Sequence, residues 1–170
     1  PSDLVELVEV LGADLLVAAG IADDEGGGRS AIRRSLECGA ALESFERMVR
    51  AQGGRLGGGE ALERAPDVLE WKAQAAGRLG FTDVREVGYA VRDLGGGRTV
   101  PGETIDMAVG IVWQRVAGDR VDAGDVLALV HHRGGRGLES ALERLGRSVR
   151  IEEGGEAPLP LIVERVRPGA

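Results

Sequence analysis

Three consecutive glycines followed by arginine and threonine, Gly95-Gly96-Gly97-Arg98-Thr99, are the first place in this sequence where phosphate chemistry suggests itself. A glycine loop cradles phosphate when it leads into a helix N-terminus, whose free N–H groups and dipole bind the anion. These glycines instead follow a stretch with helical patterning, so they are expected to form a helix C-cap. His131 and His132 are the only histidines. Neighbours on a strand point to opposite faces, so the two cannot readily share one metal ion. Together with Arg133 and Arg136 they form a small basic cluster able to hold an anion, although a solvated strand end is the expected reading. Glu152-Glu153 offers two carboxylates of the kind used in acid–base chemistry, but in a glycine-rich acidic loop they are expected to face solvent. Cys38 has no histidine near it in sequence and reads as a small residue in helix packing. No residue is therefore assigned a catalytic, cofactor-binding or metal-binding role, and no cofactor is expected.

The scarcity of certain side chains excludes more. Lys72 is the only lysine, and it lies in none of the motifs of a lipoyl or biotin carrier, a Schiff-base enzyme or a P-loop. The run Gly118-Asp119-x-Val121-x-x-Gly124-Asp125 is similar to the hairpins of biotinyl and lipoyl domains, because both need tight turns between short strands. A carrier also needs a lysine on that hairpin, and this region has none. One cysteine permits neither an intrachain disulfide nor a cysteine-based zinc site. The net charge of −7 argues against nucleic acid as the main partner. No apolar run approaches the roughly 20 residues of a membrane span. Together these features suit a reducing cytoplasm.

The elements that would carry these residues can be read from periodicity. Hydrophobic residues make up 43% and aromatics only 3%, so the core must come from Leu, Val, Ile and Ala. Residues 3–19 read as an amphipathic helix with Leu4, Leu7, Val8, Leu11 and Leu15 on one face, Ser2 as N-cap and Gly20 as its end. A chain that opens on a helix cap, with neither an initiator Met nor a secretory leader, is expected to be a piece of something longer. Asp23–Gly28 reads as a loop. Ser30 is expected to cap a second helical stretch that Gly39 divides, with Ile32, Leu36, Leu42, Phe45, Met48 and Val49 in packing positions. Gly53-Gly54 ends it, and residues 55–67 form a glycine-rich linker. Beyond that, Leu69–Ala75 reads as a strand and Asp83–Leu94 as a helix capped by Thr82. Further strands are expected over 107–116, where Val109, Ile111 and Trp113 share one side, and over Val126–His131. Leu138–Leu145 reads as a helix, and Val149–Glu152 and Leu161–Val166 as closing strands.

Two segments carry a family resemblance. Phe45-Glu46-Arg47-Met48-Val49-Arg50-Ala51-Gln52-Gly53-Gly54 is similar to a helix end, F-x-x-M-V-x-A-Q-G-G, seen in thymidine and pyrimidine nucleoside phosphorylases; Arg55 stands where that family usually has Asp. Leu94-Gly95-Gly96-Gly97-Arg98, Ile105-Asp106, Val109-Gly110, Gly118-Asp119, Val121 and Gly124-Asp125 keep the order and approximate spacing of the family's C-terminal domain. The opening helix with Leu11-Gly12-Ala13 also fits.

The resemblance implies an α/β (α+β) fold: a helical N-terminal segment, then a compact mixed domain with hammerhead-like β-hairpins. It implies late helices of a large α/β domain over 1–54, the linker over 55–67 and the phosphorylase C-terminal domain over 68–170. The implied activity is a pentosyl transfer, in which phosphate cleaves thymidine or uridine to free base and pentose 1-phosphate, in a homodimeric enzyme. The family's phosphate and nucleoside contacts lie in a Lys-His-Ser-type glycine-rich loop and later Arg, Ser and Lys residues. All of these precede the region matched here, and no such triplet occurs in this sequence. Phosphate and nucleoside would thus be bound by an N-terminal part outside this chain, which would itself be structural and inactive alone. A free-standing binding or assembly module reusing the same domain is the alternative. A phosphoribosyltransferase relative is disfavoured by the Gly-Asp hairpins.

Overall fold

A computed structural model describes residues 2–55, 63–154, 157 and 159–166. The fold is mixed α/β: among the described residues there are five α-helices and two three-stranded antiparallel sheets. The chain divides into two compact units, residues 1–60 with 160–170, and residues 61–159. No helix among the described residues is long and apolar enough to cross a membrane.

The first unit is helical: α1 (Ser2–Ala18), α2 (Glu25–Glu37) and α3 (Ala40–Ala51). The leucine stripe expected to bury α1 does not do so within this unit. Leu4, Val8, Leu11 and Leu15 are 41–70% exposed, and the buried positions are instead Glu9, Val10 and Ala13. Small residues set that contact. Gly28 of α2 comes so close that an added Cβ would lie 2.8 Å from Ala13 Cα, so the helices meet through backbone rather than through the leucines. Glu9 is 6% exposed and takes a two-pronged bond from Arg33, at 2.9 and 2.7 Å.

Helix α2 begins earlier than its expected Ser30 cap. Asp24 accepts a bond from the Gly27 N–H at 2.7 Å and caps the helix, so the expected loop Asp23–Gly28 includes its first turn. Gly39 separates α2 from α3 as expected. Of the packing residues expected here, Leu36, Leu42, Phe45 and Met48 are exposed, while Ile32 and Val49 are half-buried. No residue of α3 is buried. Residues 161–166 form no strand, contrary to the sequence pattern.

The second unit holds the main core. One sheet runs in the order β1 (Asp67–Lys72), β5 (Val126–His132), β3 (Gly110–Trp113). The other runs β4 (Arg120–Val121), β2 (Gly77–Phe81), β6 (Val149–Glu152). Strand β2 has no clear sequence signature, because Gly77 and Gly80 break its apolar alternation. Helices α4 (Val84–Val91) and α5 (Leu138–Ser148) pack on each other. Their Ala90, Ala141 and Leu145 join Leu94, Val109 and Val130 in one buried cluster. Ala73, Leu79, Val121 and Leu127 form a second. Trp71 and Trp113 pack against both clusters, and Trp113 meets Phe81 edge-on at 4.8 Å. Asp83, not the expected Thr82, caps α4 by accepting from the Arg85 N–H at 2.9 Å. Thr82 instead donates its hydroxyl to the Arg147 carbonyl at 2.6 Å, joining the start of α4 to the end of α5.

Candidate functional site

The triple glycine lies where the sequence placed it, at the end of a helix. The last turn of α4 widens over Arg92–Gly96 into a π-type turn, which Gly95 leaves at φ +103. The chain emerges from a helix C-terminus here, so no free N–H groups of a helix start converge on a phosphate. Wide turns of this kind often sit at functional positions. This one places Asp93, 13% exposed, against α5.

Asp93 is the hub of the unit's densest polar cluster. Its carboxylate accepts from Ser140 Oγ at 2.7 Å, Arg144 Nε at 2.6 Å and Arg92 Nη2 at 2.9 Å. Burial pushes its pKa up. The bonds from Ser140, Arg144 and Arg92 outweigh that, and the net effect holds it at about 2. Arg144 also binds Glu86 at 3.0 Å, and Arg147 reaches the same carboxylate at 3.2 Å. The Arg92 and Arg144 guanidiniums lie 4.9 and 5.3 Å from the Tyr89 ring centroid. Sequence reading missed this cluster, although a signal exists. Glu86 and Asp93 are seven residues apart, which puts both on one helix face, and Arg144 and Arg147 share a face of α5.

The expected basic cluster is present, but its arginines are occupied. Arg133 is bound by Asp106 and Glu63, both at 2.7 Å, and Arg136 by Glu103 at 3.2 Å. Hydrogen bonds from Arg133 hold Asp106 below the usual carboxylate range, and they raise Arg133 in turn. Glu103 also accepts from the Thr99 N–H and hydroxyl, which lower its pKa first of all, and Arg98 donates to its carbonyl. The chain 98–108 is thereby fastened at Glu103 and Asp106, while Val100 and Met107 are exposed. His132 Nδ1 accepts from the Gly135 N–H at 3.2 Å and lies 3.8 Å from Asp67. His131 pairs with Val68 and Gly110 in the sheet.

The remaining singled-out residues lie on separate elements. Glu152 and Glu153 are exposed, as expected, and Glu152 lies 3.6 Å from Arg150. Cys38 is exposed at the end of α2 rather than packed, as the residue that closes the helix, with its thiol 3.9 Å from the Ser35 carbonyl. Lys72 pairs with Glu70 on β1. The Gly-Asp pairs do build turns: Asp119 accepts from the Val116 N–H at 2.9 Å and Asp125 from the Asp122 N–H at 3.1 Å. Among the described residues no buried side-chain nitrogen or oxygen lacks a partner, and no three His, Cys, Asp or Glu groups gather to hold a metal. The side-chain chemistry on view is that of saturated ion pairs, which fix loops and helices in place.

Residues 79–152 match the family model of the pyrimidine nucleoside phosphorylase C-terminal domain. That stretch begins in β2 and ends with β6, so it includes the Asp93 cluster and both Gly-Asp turns. Over 98% of its length the chain is similar to thymidine phosphorylase of Burkholderia lata, at 38% identity, and covers 39% of that protein. It is 37% identical to thymidine phosphorylase of Rhizobium meliloti, again over 98% of this chain and 39% of the relative. Pyrimidine-nucleoside phosphorylase of Staphylococcus haemolyticus is 31% identical over 98% of the chain and 38% of its own length. The chain thus spans about two fifths of the length of the curated relatives it matches.

Proposed function

We propose that the chain, whose residues 79–152 match the family model of the pyrimidine nucleoside phosphorylase C-terminal domain, is the structural C-terminal portion of such an enzyme. In this reading residues 1–54 are late helices of the large α/β domain, 55–67 the linker and 68–170 the C-terminal domain. The parent enzyme transfers the pentose of thymidine or uridine to phosphate, works as a homodimer and resides in the cytoplasm. Phosphate and nucleoside bind to its N-terminal part.

The observation that carries the reading is the saturation of the arginines at the most polar places in the 61–159 unit. Phosphorolysis builds negative charge on the departing base and brings in a phosphate, so it needs cations and donors aimed at empty space. Arg92, Arg133, Arg136, Arg144 and Arg147 are each committed to a carboxylate. The helical unit supports the same reading from another side. Val10 and Ala13 are its only buried hydrophobic residues among those described, whereas Leu4, Leu11, Leu15, Leu42 and Phe45 stand exposed. Faces of that composition are those of helices that belong against more protein.

The purified chain, supplied with thymidine and phosphate, is expected to release no thymine above a protein-free control. Clear phosphate-dependent release would overturn the reading. One observation favours the alternative of a non-catalytic binding or assembly module: the 61–159 unit has two hydrophobic clusters of its own. A single cooperative unfolding transition of the isolated chain, with capture of a partner unrelated to nucleosides, would favour that module.

A further inference from the structure

The polypeptide leaves the helical unit near residue 60 and rejoins it at residue 160. The returning segment is short and irregular. Ile162 and Arg165 are half-buried, while Val163 and Val166 are 77% and 86% exposed. Arg165 reaches two helices at once: its Nη1 lies 2.6 Å from Glu25 in the first turn of α2, and its Nε 3.1 Å from Asp14 of α1. We propose that Arg165 anchors a C-terminal strap that clamps α1 to α2 beside the turn joining them.

Three features on the page support the strap. First, the unit has little apolar material to hold it, since Val10 and Ala13 are its buried hydrophobic residues among those described. Polar pins therefore carry more of the load than in an ordinary core. Glu9–Arg33 is one such pin, and among the described residues Arg165 is the other that joins these helices. Second, the last turn of α1 contains no basic residue. Asp14, four residues before the end of α1, instead pairs with a cation from a distant part of the chain. Third, the geometry suits arginine. A planar guanidinium can present separate N–H groups to two carboxylates, whereas a lysine ammonium on a flexible stem is a single point charge. Arg165 is 29% exposed, so water does not fully dissolve the pairing.

The test uses the full 170-residue chain and is independent of any enzymatic role. Arg165→Ala is compared with wild type by amide exchange over residues 14–28 and by backbone nitrogen relaxation over residues 160–166. The strap predicts about three- to tenfold faster exchange across the α1–α2 turn, local loosening of this kind being read directly by exchange. It also predicts a newly mobile tail and unchanged exchange in residues 63–154. Arg165→Lys should fall between the two. Asp14→Asn combined with Glu25→Gln should free the tail as fully as Arg165→Ala does, while Glu25→Gln also removes the Arg29–Glu25 pair within α2, and adding Arg165→Ala to the double variant should change nothing more. Unaltered exchange and tail mobility in Arg165→Ala would overturn the proposal, as would a full additional loss in the triple variant. Because Glu9–Arg33 and the small-residue contact remain, the variants keep α1 and α2 in place for the comparison.

Discussion

Replacing Asp93 with Asn should cost the 61–159 unit stability at neutral pH and almost nothing in strong acid. The carboxylate is 13% exposed and accepts from Ser140, Arg144 and Arg92. Burial alone would raise its pKa, but those bonds bring it from 3.8 to about 2. A depression of that size corresponds to a ceiling of about 2.5 kcal/mol of pH-linked stability. Water at the open edge of the cluster screens part of it, leaving about 1–2 kcal/mol. The sign follows from the direction. A carboxylate with a lowered folded-state pKa stabilises fully above its unfolded value near 4, and the contribution disappears as pH falls through about 2. For a unit of roughly 100 residues, 1 kcal/mol shifts the melting temperature by about 4–8 °C, so Asp93→Asn should melt about 5–15 °C lower at pH 7. Circular dichroism melts at pH 7, 4 and 2 would show the gap narrowing with acid. A gap of the same size at pH 7 and pH 2 would refute the reasoning, because the loss would then owe nothing to the charge.

Other substitutions separate packing from charge. Gly137 has φ +63, and a Cβ there would overlap the Asp93 carbonyl; Gly137→Ala should cost at least about 3 kcal/mol in thermal melts, with no dependence on pH. Leu145 is fully buried between α5 and the first sheet; Leu145→Ala should cost about 2–5 kcal/mol in urea unfolding. Leu11 and Leu15 are 58% and 70% exposed; changing both to Gln should alter the melting of the isolated chain by no more than about 0.5 kcal/mol each. The same pair should weaken concentration-dependent self-association in sedimentation runs, and a wild-type chain that stays monomeric at high concentration would count against that expectation.

The parts of the fold that were legible in sequence are those decided locally. Gly39 broke the helical run, the Gly-Asp pairs made their turns, and the triple glycine closed α4. Local chemistry also misled where two signals competed. Ser30 looked like a cap, but Asp24 with Glu25 behind it starts α2. Strand β2 was hidden because glycines occupy two of its five positions. The largest miss concerns α1 and α3. Periodicity correctly marked their apolar stripes, yet it cannot say which surface covers them, and Leu4, Leu11, Leu15, Leu42 and Phe45 stand exposed. The Asp93 cluster was missed for a related reason: its members lie on separate elements up to 61 residues apart, and pairing between helix faces depends on how they dock.

The central claim is that this chain is the non-catalytic end of a phosphorylase polypeptide, and sequencing the source DNA upstream of the Pro1 codon tests it most directly. The account predicts an open frame running on for some hundreds of codons, in keeping with relatives of which this chain covers about two fifths, and encoding a Lys-His-Ser glycine-rich loop. A start codon immediately upstream, with no such loop in frame, would contradict it and leave the binding module as the function to pursue.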